Sequence, residues 1–166
     1  VLFEAKPYSD QPGCGLHIHV SLYDAQGNNV YAQPQPETES ELLLHSVGGL
    51  LKTMAEDIPV FAPSPAARAR YEVDKAFKNT PTHICWGSNN RTVAIRIPEG
   101  SERRLEHRVP SADANPKSVV LCILNAMYQG ITSNILPNTQ KIYGDAFDKQ
   151  YKLLPLIELS SDKQAI

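Results

Sequence analysis

Two histidines one residue apart, His17 and His19, lie in the segment GCGLHIHVSL at residues 13–22. Its apolar and polar residues alternate, which predicts a β-strand with both imidazoles on the polar face. Such imidazoles can bind one metal together, or one can ligate a metal while the other faces a ligand. They can also be ordinary half-exposed strand histidines. Gly13 and Gly15 favour a ligand, because glycine lets the backbone approach a bound molecule closely.

Four arginines and a glutamate follow on a second alternating pair of segments, RTVAIRIP (91–98) and RRLEHRVP (103–110). The connecting residues EGSE predict a β-hairpin. Besides Arg103, the charged residues of these two segments are Arg91, Arg96, Arg104, Glu106 and Arg108. A solvent-exposed charged strand face is the ordinary explanation. The residues between them are apolar enough for a core element, so the polar face either meets solvent or lines a cleft. In a cleft, guanidinium groups would bind phosphate or carboxylate in a bidentate manner.

Glu106 stands between two of these arginines and should stay ionised, because neighbouring cations favour a charged carboxylate. An ionised carboxylate is a suitable ligand for Mg²⁺ or Mn²⁺, which bridge to phosphates. Imidazole, carboxylate and an arginine cluster together indicate metal-assisted phosphoryl transfer. In that chemistry the protein positions the reactants and neutralises developing charge.

The elements that must position these groups predict an α+β fold, an antiparallel β-sheet with helices packed on it. A turn at 24–29 should lead into a returning strand, NVYA. A Pro-rich connector at 33–37 precedes a predicted helix over 41–57 that Thr38 or Ser40 caps. A proline-rich loop is expected at 59–66. A second helix should start at the sequence DANP, with Asn115 as N-cap and Pro116 in its first turn, and its apolar density predicts a largely buried helix.

The composition is that of one globular domain: 166 residues, 42% of them hydrophobic, with a formal net charge of −2. This charge argues against nucleic-acid or membrane partners. The three cysteines, Cys14, Cys85 and Cys122, lie far apart. They form neither a disulfide framework nor a zinc motif, so a reducing cytoplasm is the expected location. Because the chain opens with Val1 in strand-like sequence, we expect it to be a piece of a longer protein.

Several of these segments together resemble signatures of the glutamine synthetase family. GCGLHIHVSL is similar to the G-S-G-M-H-x-H-x-S-L strand of that family. NRTVAIRIP and RRLEHRVPSADANP are similar to its N-R-x-x-x-x-R-I-P and R-x-E-x-R-x-P-x-x-x-A-N-P signatures. GDAFDKQYKLLP (144–155) is similar to its late G-D-A-x-D-K-x-x-Y-x-L-P segment. The matches keep the family order over residues 12–155.

The resemblance implies an ATP-dependent ligase that phosphorylates the γ-carboxylate of glutamate, after which ammonia or an amine displaces the phosphate. His17 and Glu106 would ligate Mg²⁺ or Mn²⁺. Residues implied to bind ATP or its phosphates are His19, Ser21, Arg91, Arg96 and Arg104, with Arg91 also catalytic. Residues implied to bind glutamate are Gly13, Arg70 and Arg108.

The chain departs from the family pattern near the acceptor site. The P-G-x-E-A-P flap of ammonia-using members is not visible, and residues 71–85 stand there, with Glu72 and Asp74 as candidate substitutes. Ala66, Ala67 and Arg68 replace an expected Asn-Ser-Tyr. With these departures and the segments WGSNNRTV and LEHRV, the chain resembles the γ-glutamyl-polyamine or another amine-using branch of the family.

The resemblance also implies parts that lie outside these residues. Family enzymes have an N-terminal β-grasp domain and further metal-binding glutamates upstream of G-x-G-x-H-x-H. We therefore expect residues 1–166 to be a single domain, the C-terminal portion of the catalytic domain, and to be nearly inactive alone. The complete protein would form homo-oligomers, as the rings of its relatives imply.

Two alternatives remain open at this point. The protein could be a catalytically dead relative with a structural or assembly role, which the lost Asn-Ser-Tyr and flap acid would explain. It could also be a cupin-like metalloenzyme, because HIHVSLYD supplies two histidines followed by Asp24. The next histidine that cupins need is Arg103 here, and the arginines would have no function.

Overall fold

The computed structural model describes residues 1–32, 38–72, 77, 79–100 and 102–157. The strands are β1 (Ile18–Val20), β2 (Trp86–Gly87), β3 (Ile95–Arg96) and β4 (Leu105–His107). The helices are α1 (Glu41–Phe61), α2 (Pro65–Arg68) and α3 (Pro116–Thr132), with short 3₁₀ turns at Ala69–Tyr71 and Lys149–Tyr151. No helix in the described part of the chain has the length and hydropathy needed to cross a membrane.

The four strands form one small open sheet in the order β1-β4-β3-β2. Strand β4 pairs antiparallel with both β1 and β3, so the predicted hairpin and its contact with the histidine strand are confirmed. Strands β2 and β3 pair in parallel, which makes the sheet mixed rather than wholly antiparallel. The predicted α+β class, with helices packed on a sheet, is confirmed.

Both predicted helices begin where their capping residues indicate. The Ser40 side chain accepts a hydrogen bond from the Leu43 N–H, and the Asn115 side chain accepts from the N–H groups of Lys117 and Ser118. These side chains satisfy N–H groups that have no partner inside the helix. Helix α1 continues beyond the predicted end and includes Pro59 in its last turns, and α2 begins at Pro65. The predicted loop at 59–66 is therefore wrong at residues 59–61 and at 65 and 66.

The predicted returning strand after residue 29 is also wrong. The turn itself forms, with Asp24 accepting from the N–H groups of Gln26 and Asn28. Beyond it the chain makes only an isolated antiparallel bridge between Tyr23 and Asn29 and then turns again. The predicted connector at 33–37 lies outside the described residues.

Helices α1 and α3 pack against each other, and the contact is close enough to require glycine. A Cβ at Gly49 would lie 2.1 Å from the Ala126 carbonyl oxygen, and one at Gly130 would lie 2.1 Å from the His45 carbonyl oxygen. Only the inner face of α3 is buried in this chain, with Ile123 fully covered. Leu121 is 69% exposed on the outer face, so the prediction of a largely buried helix is wrong for that side.

His107 lies beneath the sheet on the face opposite Glu106, as the strand alternation predicts. It is fully buried against Phe61, with ring centroids 4.8 Å apart. Neither ring nitrogen has a hydrogen-bond partner among the described residues. Burial lowers the pKa of His107 to about 3, and the nearby His17 adds to the shift. The folded chain therefore holds a neutral imidazole that the unfolded chain protonates more easily.

We expect the stability of the chain to fall on acidification below pH 6.5, partly through His107. Above its ordinary pKa of 6.5 the ring is neutral in both states and contributes nothing. Between pH 6.5 and about 3 only the unfolded state binds the proton, so the free energy of unfolding drops by up to about 1.4 kcal/mol per pH unit. Urea unfolding of wild type and His107→Leu at pH 7, 6 and 5 measures this slope. An equal slope in both proteins would contradict the prediction.

Candidate active site

Three side chains form a row across the sheet, because strand register places them opposite one another. His19 on β1 pairs with Glu106 on β4, and Glu106 in turn pairs with Arg96 on β3. All three lie on the face away from His107. The pairing thus puts an imidazole and a guanidinium on either side of one carboxylate.

Glu106 is the centre of the ionic contacts. Its side chain is only 5% exposed, and its Oε2 accepts a hydrogen bond from Arg96 Nη1 at 2.8 Å. Its Oε1 lies 3.1 Å from His17 Nδ1 and 3.3 Å from Arg108 Nη1. Burial opposes ionisation, but the hydrogen bonds from His17 and Arg96 and the charge of Arg108 outweigh it and lower the pKa of Glu106 to about 2. The carboxylate is therefore ionised at neutral pH.

The two histidines face Glu106 through different ring nitrogens. Arg104 Nε donates to His19 Nδ1 at 3.2 Å, so in a neutral His19 ring the proton is on Nε2, which lies 3.8 Å from Glu106 Oε1. Burial lowers the pKa of His19, the charge of Glu106 opposes the shift, and the charge of Arg104 adds to it. His17 faces Glu106 directly through Nδ1. The predicted meeting of His17 and Glu106 is confirmed.

A cavity of about 530 Å³ opens over this row. Eight of the ten predicted site residues line it: Gly13, His17, His19, Arg70, Arg91, Arg96, Glu106 and Arg108. The charges among them are four guanidinium groups against one carboxylate. Four guanidinium nitrogens of these lining arginines are buried without a partner among the described residues: Arg70 Nε, Arg70 Nη1, Arg96 Nε and Arg108 Nε. Because buried polar groups are normally hydrogen-bonded, these donors indicate that the cavity binds anions.

The two glycines of the first motif leave room for Arg70. A Cβ at Gly13 would lie 2.6 Å from Arg70 Cγ, and a Cβ at Gly15 would lie 3.0 Å from Arg70 Nη2 and 3.1 Å from His17 Nε2. Any side chain at these positions would displace the arginine. The sequence predicted that these glycines allow close approach, and in the structure the group that approaches is a side chain of the same protein.

Ser21 and Arg104 do not line the cavity. The Ser21 hydroxyl donates to the Arg103 carbonyl at 3.2 Å, and Arg104 reaches the site only through His19. Among the acid candidates for the missing flap, Asp74 lies outside the described residues, and Glu72 does not line this cavity. The roles inferred for all these residues stay predictions.

Three residues that line the cavity or hold its arginines were not identified from the sequence. The backbone carbonyl of Asn79 accepts from Arg108 Nη2 at 2.8 Å, and the Asn89 side chain accepts from Arg96 Nη2. Phe77 contributes the aromatic part of the cavity wall. Asn89 lies in the segment WGSNNRTV, which indicated only the family resemblance. A backbone carbonyl such as that of Asn79 cannot be recognised from residue type.

The residues present fit part of a metal site. His17 Nδ1 and Glu106 Oε1 lie 3.1 Å apart, close to the spacing of about 3.0 Å expected for adjacent ligands of an octahedral ion with bonds of about 2.1 Å. No group of three or more His, Cys, Asp or Glu side chains suited to a metal occurs among the described residues. This chain thus offers one imidazole and one carboxylate, both able to ligate Mg²⁺ or Mn²⁺.

An open mixed sheet carries a glutamate among arginines and two histidines, an arrangement suited to anionic ligands. The model of the glutamine synthetase catalytic domain matches residues 1–158. This chain therefore belongs to the glutamine synthetase family. That assignment rules out the cupin-like alternative.

Similarity to individual proteins supports this family assignment. The γ-glutamylputrescine synthetase PuuA of Escherichia coli is 35% identical over 93% of this chain and 32% of its own length. The glutamine synthetase of Pyrococcus woesei is 36% identical over 81% of this chain and 30% of its own length. The solved structure of apo GmaS without ligand has a TM-score of 0.76 and 30% identity over 93% of this chain and 36% of that chain. The chain spans about a third of the length of these relatives.

Proposed function

We propose that the protein to which this chain belongs is an ATP-dependent ligase that joins the γ-carboxylate of glutamate to ammonia or a small amine. The observation that carries the proposal is the cavity itself. Four arginines surround a single ionised carboxylate, and three of them, Arg70, Arg96 and Arg108, have buried nitrogens without a partner among the described residues, which suits two anionic substrates and a cation. The excess positive charge would repel a free metal ion, so metal should bind together with ATP.

In this proposal different arginines bind different substrate groups. Arg91 and Arg96 bind the transferred phosphate, and Arg104 binds ATP phosphates from the rim beside His19. Arg70 and Arg108 bind the carboxylates of glutamate, with Gly13 against the substrate. The oxygen of the γ-carboxylate attacks the γ-phosphorus of ATP, ADP leaves, and γ-glutamyl phosphate forms. The amine nitrogen then attacks the acyl carbon, loses a proton and releases phosphate.

His17 and Glu106 would hold Mg²⁺ or Mn²⁺, which would neutralise phosphate charge when bound. This metal site needs ligands beyond those that the described residues supply. We propose that the remaining metal ligands and an N-terminal domain lie in the rest of a longer protein that forms homo-oligomers in the cytoplasm. Residues 1–166 alone would then be nearly inactive.

For the acceptor we propose an amine rather than ammonia alone. The chain lacks the flap motif of ammonia-using members, and Phe77, which belongs to the segment 71–85 in its place, lines the cavity. The similarity to a γ-glutamylputrescine synthetase supports the same choice.

ADP release by the full-length protein tests the proposal. The assay supplies ATP, Mg²⁺ and glutamate, with ammonia, ethanolamine or putrescine as acceptor. We expect ADP release that requires both glutamate and an acceptor. No ADP release with any of the three would refute the ligase and support the alternative, a catalytically dead relative, which the replacement of Asn-Ser-Tyr by Ala66, Ala67 and Arg68 favours.

Replacing Arg108 by lysine should chiefly raise the KM for glutamate, by about tenfold or more. Arg108 Nη1 contacts Glu106 and Nη2 contacts the Asn79 carbonyl, and the planar fork holds these partners and a substrate at once. A lysine ammonium is a point charge and cannot replace a bidentate fork. Steady-state kinetics with glutamate varied at saturating ATP measures the effect. An unchanged KM for glutamate would mean that Arg108 binds something else.

A further inference from the structure

The backbone carbonyl of Arg103 accepts hydrogen bonds from two side chains of a distant segment. Asn29 Nδ2 donates to it at 2.8 Å and the Ser21 hydroxyl donates at 3.2 Å. Arg103 precedes β4 by two residues, at the point where the chain enters the row of site residues. The contact therefore fixes the peptide between Arg103 and Arg104, just before the strand that carries Glu106.

Both the oxygen and the nitrogen of the Asn29 side-chain amide make hydrogen bonds. Its Oδ1 accepts from the Tyr31 N–H at 2.9 Å, which orients Nδ2 towards Arg103. The turn before it is closed by the Asp24 N–H, which donates to the Asn28 carbonyl at 3.0 Å. Since both the turn and the amide are fixed, Asn29 offers Arg103 a donor of defined direction.

The side chains of Arg103 and Arg104 leave this fixed peptide in opposite directions. The Arg103 side chain turns inward, is 9% exposed, and has Nη2 3.7 Å from Glu39 Oε1. The Arg104 side chain turns outward, where its Nε donates to His19 and its Nη1 donates to the Glu102 carbonyl at 3.2 Å. Arg104 Nη2 has no partner among the described residues, so it remains available to a ligand.

We propose that Asn29 is a positioning residue for nucleotide binding. By holding the Arg103 carbonyl, it directs Arg104 onto His19 and presents Arg104 Nη2 to a phosphate of ATP. Ser21 donates to the same carbonyl, which gives it an indirect part in nucleotide binding. This inference rests on the proposed function.

Two variants of the full-length protein test the role. In Asn29→Ser the hydroxyl can still accept from the Tyr31 N–H but is too short to reach Arg103. In Asn29→Asp the same acceptor is kept, while the donor to Arg103 is lost. Gln26→Ser and Gln26→Glu are matched controls, because Gln26 is an exposed residue of the same turn whose side chain makes no contact with Arg103. The measurements are the Kd of Mg-ATP by calorimetry, the KM values for ATP and glutamate, and Tm.

We expect both Asn29 variants to bind ATP about tenfold more weakly, the effect of losing one charge-assisted hydrogen bond. The KM for glutamate and Tm should match those of the controls. Unchanged ATP binding in both variants would overturn the role of Asn29 and leave the ligase proposal intact. An equal loss for ATP and glutamate together with a lower Tm would also overturn it, since the role would then be structural. If the wild-type protein neither binds nor turns over ATP, the ligase proposal is wrong and this inference is wrong with it.

Discussion

Replacing Glu106 by glutamine should reduce turnover of the full-length protein by about 10²–10³-fold or more, a loss typical of removing an electrostatic group from an active site. The substitution keeps the size of the side chain and removes its charge. Half-buried Arg96 and buried Arg108, which contact the two carboxylate oxygens, would then have no counter-charge from Glu106. The same change removes one of the two proposed metal ligands of this chain.

The Glu106→Gln variant should also lose stability, by about 3–5 kcal/mol, because breaking a buried ion pair leaves uncompensated charge. Urea unfolding of the 166-residue chain measures this loss apart from catalysis. Glu99→Gln is the matched control, since Glu99 is exposed and contacts the Asn89 side chain at 3.4 Å. Turnover within a few-fold of wild type would contradict the assignment of Glu106 as the centre of the site.

Replacing Gly49 by alanine should destabilise the chain by about 1–3 kcal/mol, even though alanine favours helix formation. The new Cβ would lie 2.1 Å from the Ala126 carbonyl oxygen and 2.8 Å from the Gly130 Cα. Both are backbone atoms, so α1 and α3 would have to separate. Urea unfolding of wild type and variant measures the change.

Asn125→Ala is the control for the helix preference of alanine. Asn125 is exposed on α3, so the substitution changes helix propensity without changing the contact, and it should be neutral or slightly stabilising. If Gly49→Ala were as stable as Asn125→Ala, the helices could not be as close as the structure places them.

The parts of the fold that follow local rules could be predicted from the sequence. Ser40 and Asn115 begin their helices because each side chain satisfies N–H groups of the first turn. Strand alternation placed Glu106 and His107 on opposite faces, and the structure has one in the cavity and the other in the core.

The errors arise where contacts distant in sequence decide the structure. Helix α1 passes Pro59 because Ile58 and Phe61 are buried and the Phe61 carbonyl accepts from Ser111, which outweighs the cost of the proline. The parallel pairing of Trp86–Gly87 with β3 involves a strand of two residues, too short for a visible alternation. In the site, Asn79 acts through its backbone carbonyl, for which residue type carries no information.

Diffraction from crystals of the full-length protein grown with Mn²⁺ and ADP, recorded at the manganese absorption edge, tests the central claim most directly. We predict an anomalous peak within bonding distance of His17 and Glu106, with the diphosphate against Arg104. A manganese ion bound away from His17 and Glu106, or a diphosphate that does not touch Arg104, would contradict it.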